Sequence, residues 1–172
     1  MIEKQNDVAP SIKGLRSLIA DPRSGLPEEI FLFVSSVTPL VNVDLLIQDD
    51  AGRTLLTWRD DAFYGPGWHL PGGVIRFQET AADRIRAVAR QELGVEVELD
   101  PAPAAIHEMI DAERRERGHS IALLYRCRLL TAPVENRRAS SPRPLPDQWA
   151  WHEGCPENLI HEHRVYHRFF HE

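Results

Sequence analysis

The chain has 172 residues, enough for one domain with modest extensions, and its 42% hydrophobic and 27% charged residues are ordinary for a globular protein with a real core. A net charge of −6 argues against a general nucleic-acid binder, which needs a basic surface. Two cysteines, Cys127 and Cys155, make no disulfide framework and point to a reducing cytoplasm, and no apolar run or polar-free leader suggests a membrane span or a secretory signal.

Residues 1–25 read as an N-terminal extension. Ile12, Leu15, Leu18 and Ile19 have helical spacing, and Asp21-Pro22-Arg23-Ser24-Gly25 ends that segment with turn chemistry. A second short helix follows Pro27, with Glu28 and Glu29 at its positive end. Leu40 to Gln48 is a strand, Asp49-Asp50-Ala51-Gly52 a hairpin turn, and Arg53 to Arg59 its returning partner. A loop over 60–67 leads to the short strand Trp68-His69-Leu70 and the turn Pro71-Gly72-Gly73.

Thr80 to Leu93 is the strongest helix, stopped by Gly94. Strands follow at Val95 to Leu99, Ala104 to Ile110 and Ser120 to Leu130. The charged run between the last two reads as a solvated turn. Residues 131–147 form a proline-rich loop, Gln148 to His152 a short strand and Pro156 to Phe170 a closing helix. Along that last segment His163, His167 and His171 fall at i, i+4 and i+8, a spacing that can hold zinc.

One residue is out of place. At about 100° per residue, Ala81, Ile85, Val88, Ala89 and Glu92 share one helical stripe, so a carboxylate stands among apolar neighbours. It pairs with an arginine, sits on a helix rotated to bring it to the rim, or holds a cation. The Gly72-Gly73 turn lets the backbone come close to a ligand and could complete a cation site with Glu92.

Gly73, Glu79, Ala89, Glu92, Gly94 and Val95 resemble the Nudix box, Gly-x5-Glu-x7-Arg-Glu-U-x-Glu-Glu-x-Gly-U. The box arginine is replaced by Ala87 and two of its acids by Val88 and Gln91. The stretches 38–44, 55–59, 68–73, 91–94, 119–129 and 158–166 are similar in order and spacing to the GDP-mannose mannosyl hydrolase branch of that superfamily. The resemblance spans roughly residues 26–170 and implies a Nudix hydrolase domain over 26–172, an α+β fold built as an α/β/α sandwich with a mixed sheet.

It implies further that the chain is a Mg2+- or Mn2+-dependent hydrolase of a nucleoside diphosphate sugar, of the GDP-mannose or GDP-glucose type. Such an enzyme attacks the sugar carbon and releases nucleoside diphosphate and hexose, and the branch implies a homodimer. Glu92 and the Gly73 carbonyl would hold the metal. Asp44 and Arg59 would lie beside the sugar-phosphate, where an arginine stabilises a departing diphosphate.

Val74 stands where the branch has an arginine, so Arg76 is the candidate substitute, with His119 a further substrate-binding candidate. Leu145-Pro146 replaces the Gln-His pair of the base-bearing loop, leaving Asp147 first and His152 second as catalytic base, with His119 and His107 behind them. Glu79 reads as a structural box residue at the helix N-terminus. Two alternatives remain: a Nudix pyrophosphatase that attacks phosphorus, and a nucleotide-sugar-binding domain with weak or no catalysis.

Overall fold

The computed structural model describes residues 8–170. Helices α1 (Ala9–Ser17) and α2 (Glu28–Ser35) precede strands β1 (Leu40–Ile47), β2 (Thr54–Asp61), β3 (Gly65–His69) and β4 (Gly72–Val74). Helix α3 (Ala81–Val88) runs directly into a π-helical turn, Ala89–Leu93. Strands β5 (Val97–Leu99), β6 (Ala105–Ile110), β7 (His119–Leu129) and β8 (Trp149–His152) follow, and a 3-10 helix, His161–Phe170, closes the described chain. Among the described residues no helix is long and apolar enough to cross a membrane.

Strand β7 organises the larger, mixed sheet. Along one edge it runs parallel to β1 from Leu40↔Ser120 to Ile47↔Cys127. Along the other it pairs antiparallel first with β6 and then with β5. Strand β4 adds antiparallel to the far side of β1, setting Asp44 opposite Gly72 and Val43 opposite Gly73. A second, antiparallel sheet has the order β3-β2-β8.

The sheets separate two cores. Val43, Leu45 and Ile47 pack with Ile85, Val88, Ala89 and Leu93 of the α3 segment. Leu46, Leu56, Trp68 and Leu124 pack with Tyr166, Phe169 and Phe170 of the terminal helix. This is the expected arrangement of helices on both faces of a mixed sheet.

Four expectations change. Strand β2 does not return along β1 as a ladder; beyond the turn the two are linked by the Gln48↔Thr54 bridge, because β1 has β4 and β7 as neighbours and β2 has β3 and β8. The 60–67 loop is mostly strand, with β2 and β3 joined by a tight turn over 62–64. The closing segment is 3-10 rather than α-helical. At three residues per turn, Ile160, His163, Tyr166 and Phe169 stack on one buried face. That period takes His163 and His167 off a common stripe, and His171 lies outside the described residues.

The fourth change concerns Glu79. The cap of α3 is Thr80, whose hydroxyl accepts from Asp83 N at 3.1 Å. Glu79 instead accepts from Arg76 N at 2.9 Å and pairs with the buried Arg84 guanidinium at 2.8 Å, which locks the loop before α3 onto the helix. Glu79→Ala would strand that guanidinium and should cost about 3 kcal/mol by urea unfolding. Adding Arg84→Met should recover part of the loss.

Candidate active site

A cavity of about 760 Å3 opens between the two sheets and the terminal helix, with Asn42, Asp44, Arg59, Gly72, Arg117 and His163 among its walls. Its floor is the β1–β4 contact. A Cβ on Gly72 would collide with the Asp44 carboxylate and lie 2.8 Å from Val43 O, so only glycine permits this approach.

Glu92 reaches the same glycine from below. Its Oε1 accepts from Gly72 N at 3.2 Å, and Thr57 Oγ1 is 3.0 Å from Oε2. The π turn explains the position. Its wider turn places Leu93, fully buried, at the centre of the apolar stripe and moves Glu92 to the edge, beneath the glycines. Among the described residues no arginine or lysine forms an ion pair with Glu92, so the ion-pair reading of the sequence is not met. Burial pushes its carboxyl up to about 7, and the charge of Asp147 adds to the rise.

Thr57 also lies 3.1 Å from His69 Nε2, and His69 Nδ1 lies 2.8 Å from Leu70 O. A carbonyl only accepts, so Nδ1 carries a proton. Burial, with the Arg59 charge, holds His69 down to about 3. Thr57 donates its hydroxyl proton to Glu92 Oε2.

Asp44 is buried. Tyr166 donates to its Oδ2 at 2.6 Å, and His163 Nε2 stands 3.9 Å from Oδ1. His163 Nδ1 accepts from Leu70 N at 3.0 Å, so the neutral ring turns its Nε2–H toward Asp44. Desolvation pushes Asp44 up to about 6. The sequence placed Asp44 on a polar strand face; that face is covered by the terminal helix. Arg59 is tied to Asp61 at 2.6 Å and lies over the Tyr64 ring at 4.2 Å.

The remaining candidates scatter. Gly73 forms the wall beside Gly72, backed by Val88. Asp147 sits exposed on a turn at φ 67, with its N–H donating to Trp58 O at 3.0 Å; it is outside the cavity walls, although Glu92 feels its charge. His152 pairs with Thr54, three positions along β2 from Thr57, and its ring packs on Trp68 at 4.5 Å. His119 pairs with Glu108 at 3.1 Å while its neighbour Ser120 faces the cavity. Arg76 backs onto Gly25 instead of lining the cavity. His107 packs on Tyr166.

Several cavity residues escaped sequence reasoning: Tyr64, His69, Arg114 and Arg117; so did Thr57 and Tyr166, which bond to Glu92 and Asp44, while His163 was read only for its zinc spacing. The charged 111–118 run is no solvated turn, since Arg114 and Arg117 fold back onto the cavity. The i, i+3 period of Ile160, His163, Tyr166 and Phe169 was the one signal available for the terminal helix.

The donor set limits the metal chemistry. Among the described residues no group of three acidic, histidine or cysteine side chains could hold a metal ion. One desolvated carboxylate without a cationic partner, next to a glycine turn, fits a single divalent cation anchored by Glu92 and not a multi-ion cluster. Glu92→Gln keeps both hydrogen bonds, because its amide can donate to Thr57. It should leave the melting temperature within a few degrees and abolish Mg2+ binding measured by calorimetry.

No family model matches the chain. It is similar to the low-salt glycan biosynthesis protein Agl8 of Haloferax volcanii, 29% identical over 107 residues, or 60% of this chain and 68% of that protein. Among solved structures it resembles a MutT NUDIX hydrolase from Burkholderia pseudomallei, at 26% identity and a TM-score of 0.62, over 76% of this chain and 97% of that one. It also resembles an ADP-ribose pyrophosphatase from Streptococcus suis, at 19% identity and a TM-score of 0.54, over 77% and 87%. The chain has the Nudix hydrolase fold.

Proposed function

We propose that the chain is a divalent-metal-dependent hydrolase of a nucleoside diphosphate sugar, of the GDP-mannose or GDP-glucose type, acting at the sugar carbon. The observation that carries this reading is the convergence of Asp44 and Glu92 on Gly72, at the floor of a cavity with Arg59 on its wall. Glu92, with the Gly73 carbonyl, would hold Mg2+ or Mn2+, and the ion would neutralise the diphosphate as it leaves. Arg59 stabilises the same developing charge.

The sugar half of the reading has its own support. Asn42 Oδ1 is buried beside the cavity and has no donor among the described residues, and Asp44 lies two residues away on the same strand face. A hexose offers the hydroxyl donors that such acceptors lack. The name of the Haloferax relative, a glycan biosynthesis protein, is in keeping with a sugar-bearing substrate.

For the proton acceptor, geometry moves Asp44 ahead of Asp147. Asp44 lines the cavity, Tyr166 fixes its orientation, and its raised pKa suits a base working near neutrality. Asp147 remains second, from outside the cavity walls, and His152 falls behind because its ring is packed on Trp68. The domain over 26–172, homodimerisation and a cytoplasmic setting belong to the same proposal.

Product analysis with Mg2+ tests the reaction. Nucleoside diphosphate plus free hexose supports carbon attack; nucleoside monophosphate plus sugar phosphate would replace it with the pyrophosphatase reading; binding without turnover would leave a nucleotide-sugar-binding domain. A base must be deprotonated to act, so with Asp44 in that role the rate should fall as pH drops through about 6. Asp44→Asn should lower kcat at least a hundredfold if Asp44 is the base, and Asp147→Asn less than tenfold.

A further inference from the structure

At the outer end of the cavity three guanidinium groups surround one aromatic ring. Arg59 lies 4.2 Å from the Tyr64 centroid, Arg114 4.9 Å and Arg117 5.1 Å. The groups come from different places: Arg59 from β2, Tyr64 from the β2–β3 turn, and Arg114 and Arg117 from the loop between β6 and β7. All four residues line the cavity. Like charges gathered this way repel unless each is compensated.

Two of them are. Arg59 is paired with Asp61, and Arg114 is paired with Asp111 at 3.0 Å and with Glu162 at 2.8 Å. Arg117 differs. Among the described residues it has no carboxylate partner, and its Nε is buried without a hydrogen-bond acceptor. Its guanidinium is held by aromatic faces alone: Phe63 at 4.7 Å, Tyr64 at 5.1 Å and Phe31 at 5.7 Å. Aromatic faces attract the charge but leave the N–H donors unused.

Its backbone is specified as well. Arg117 is a non-glycine residue in the left-handed region, φ 57, a conformation that persists only where neighbours enforce it. Ser35 of α2 does so by accepting the Arg117 N–H at 3.1 Å. Of the other acids on the cavity wall, Glu108 is paired with His119 and Asp44 with Tyr166, while Glu113 is exposed on the rim.

We propose that Arg117, together with Arg59 at the same Tyr64 ring, forms a subsite that receives a phosphate group of the ligand. The two guanidinium carbons are at most about 9 Å apart, since both lie over one ring; a diphosphate and its hydrogen bonds bridge such a gap. The planar fork of Arg117 presents paired N–H donors to phosphate oxygens. The assignment of a diphosphate rests on the reading of the cavity as a nucleotide-sugar site. The subsite itself needs no metal, so it can be tested apart from that reading.

The probe is inorganic pyrophosphate titrated by calorimetry into the full chain in the presence of a chelator. The wild type should bind, with an affinity that falls as salt rises. Arg117→Gln should bind at least tenfold more weakly with an unchanged melting temperature, and Arg115→Gln, an exposed neighbour in the same loop, should bind as the wild type does. If Arg117→Gln fails to fold, Arg117→Lys carries the test: it keeps the charge, loses the fork, and should bind several-fold more weakly. No metal-free pyrophosphate binding by the wild type, or undiminished binding by the Arg117 variant, overturns the subsite. Either result leaves the product analysis of the hydrolase untouched. Loss of pyrophosphate binding in Arg117→Gln, with no turnover of any nucleotide sugar, would sink the proposed reaction and keep the subsite.

Discussion

The β1–β4 contact at Gly72 is the constraint on which the rest of the site depends. Strand β4 can lie against β1 at this register only because Gly72 has no side chain to meet Asp44 and the Val43 carbonyl. The same backbone N–H that faces away from β1 donates to Glu92. Two carboxylates from opposite cores thereby come to bear on one residue, Asp44 from the terminal-helix side and Glu92 from the α3 side. Beneath Gly73, Val88 and the Arg84 side chain fill the space that a bulkier residue would need.

The hydrogen-bonding partners of these two acids are neutral, and the nearby Arg59 charge only partly offsets their desolvation. Glu92 has Thr57 and a backbone N–H; Asp44 has a tyrosine hydroxyl and a neutral histidine. Such partners satisfy the oxygens without cancelling the charge, so desolvation prevails and both acids stay well above the usual carboxylate range. Glu79 shows the contrast. It is closed into an ion pair with buried Arg84, and its work is to hold the loop onto α3. A site that must accept a cation or a proton needs acids of the first kind, and a joint in the fold needs the second.

The outer half of the cavity is built on the reverse principle, with cations stacked on aromatic rings. It depends on contacts between segments far apart in the chain. Tyr64 is carried by the β2–β3 turn, Arg117 by the β6–β7 loop, Ser35 and Phe31 by α2, and Glu162 by the terminal helix. Helix α2 therefore contributes to the cavity by fixing the loop that delivers Arg117, although it supplies no wall of its own.

What the sequence determined by itself was local. Alternation in β1, the Thr80 and Gly94 ends of the α3 segment and the glycine turn follow from side-chain periodicity and backbone sterics, and so does the misplaced charge of Glu92; none requires knowledge of a distant partner. The box spacing from Gly73 to Val95 carried the fold through resemblance. Other features were decided only in three dimensions. A π turn rather than a regular helix sets where Glu92 points, because the closing strand β5 pulls Leu93 and Val95 into the core. The burial of Asp44 depends on the terminal 3-10 helix more than a hundred residues later, and β2 joined a separate sheet because β7 already occupied the edge of β1. The charged 111–118 run looked solvated because its aromatic partners, Phe31, Phe63 and Tyr64, lie dozens of residues upstream; a guanidinium held by ring faces has no signature in its own neighbourhood.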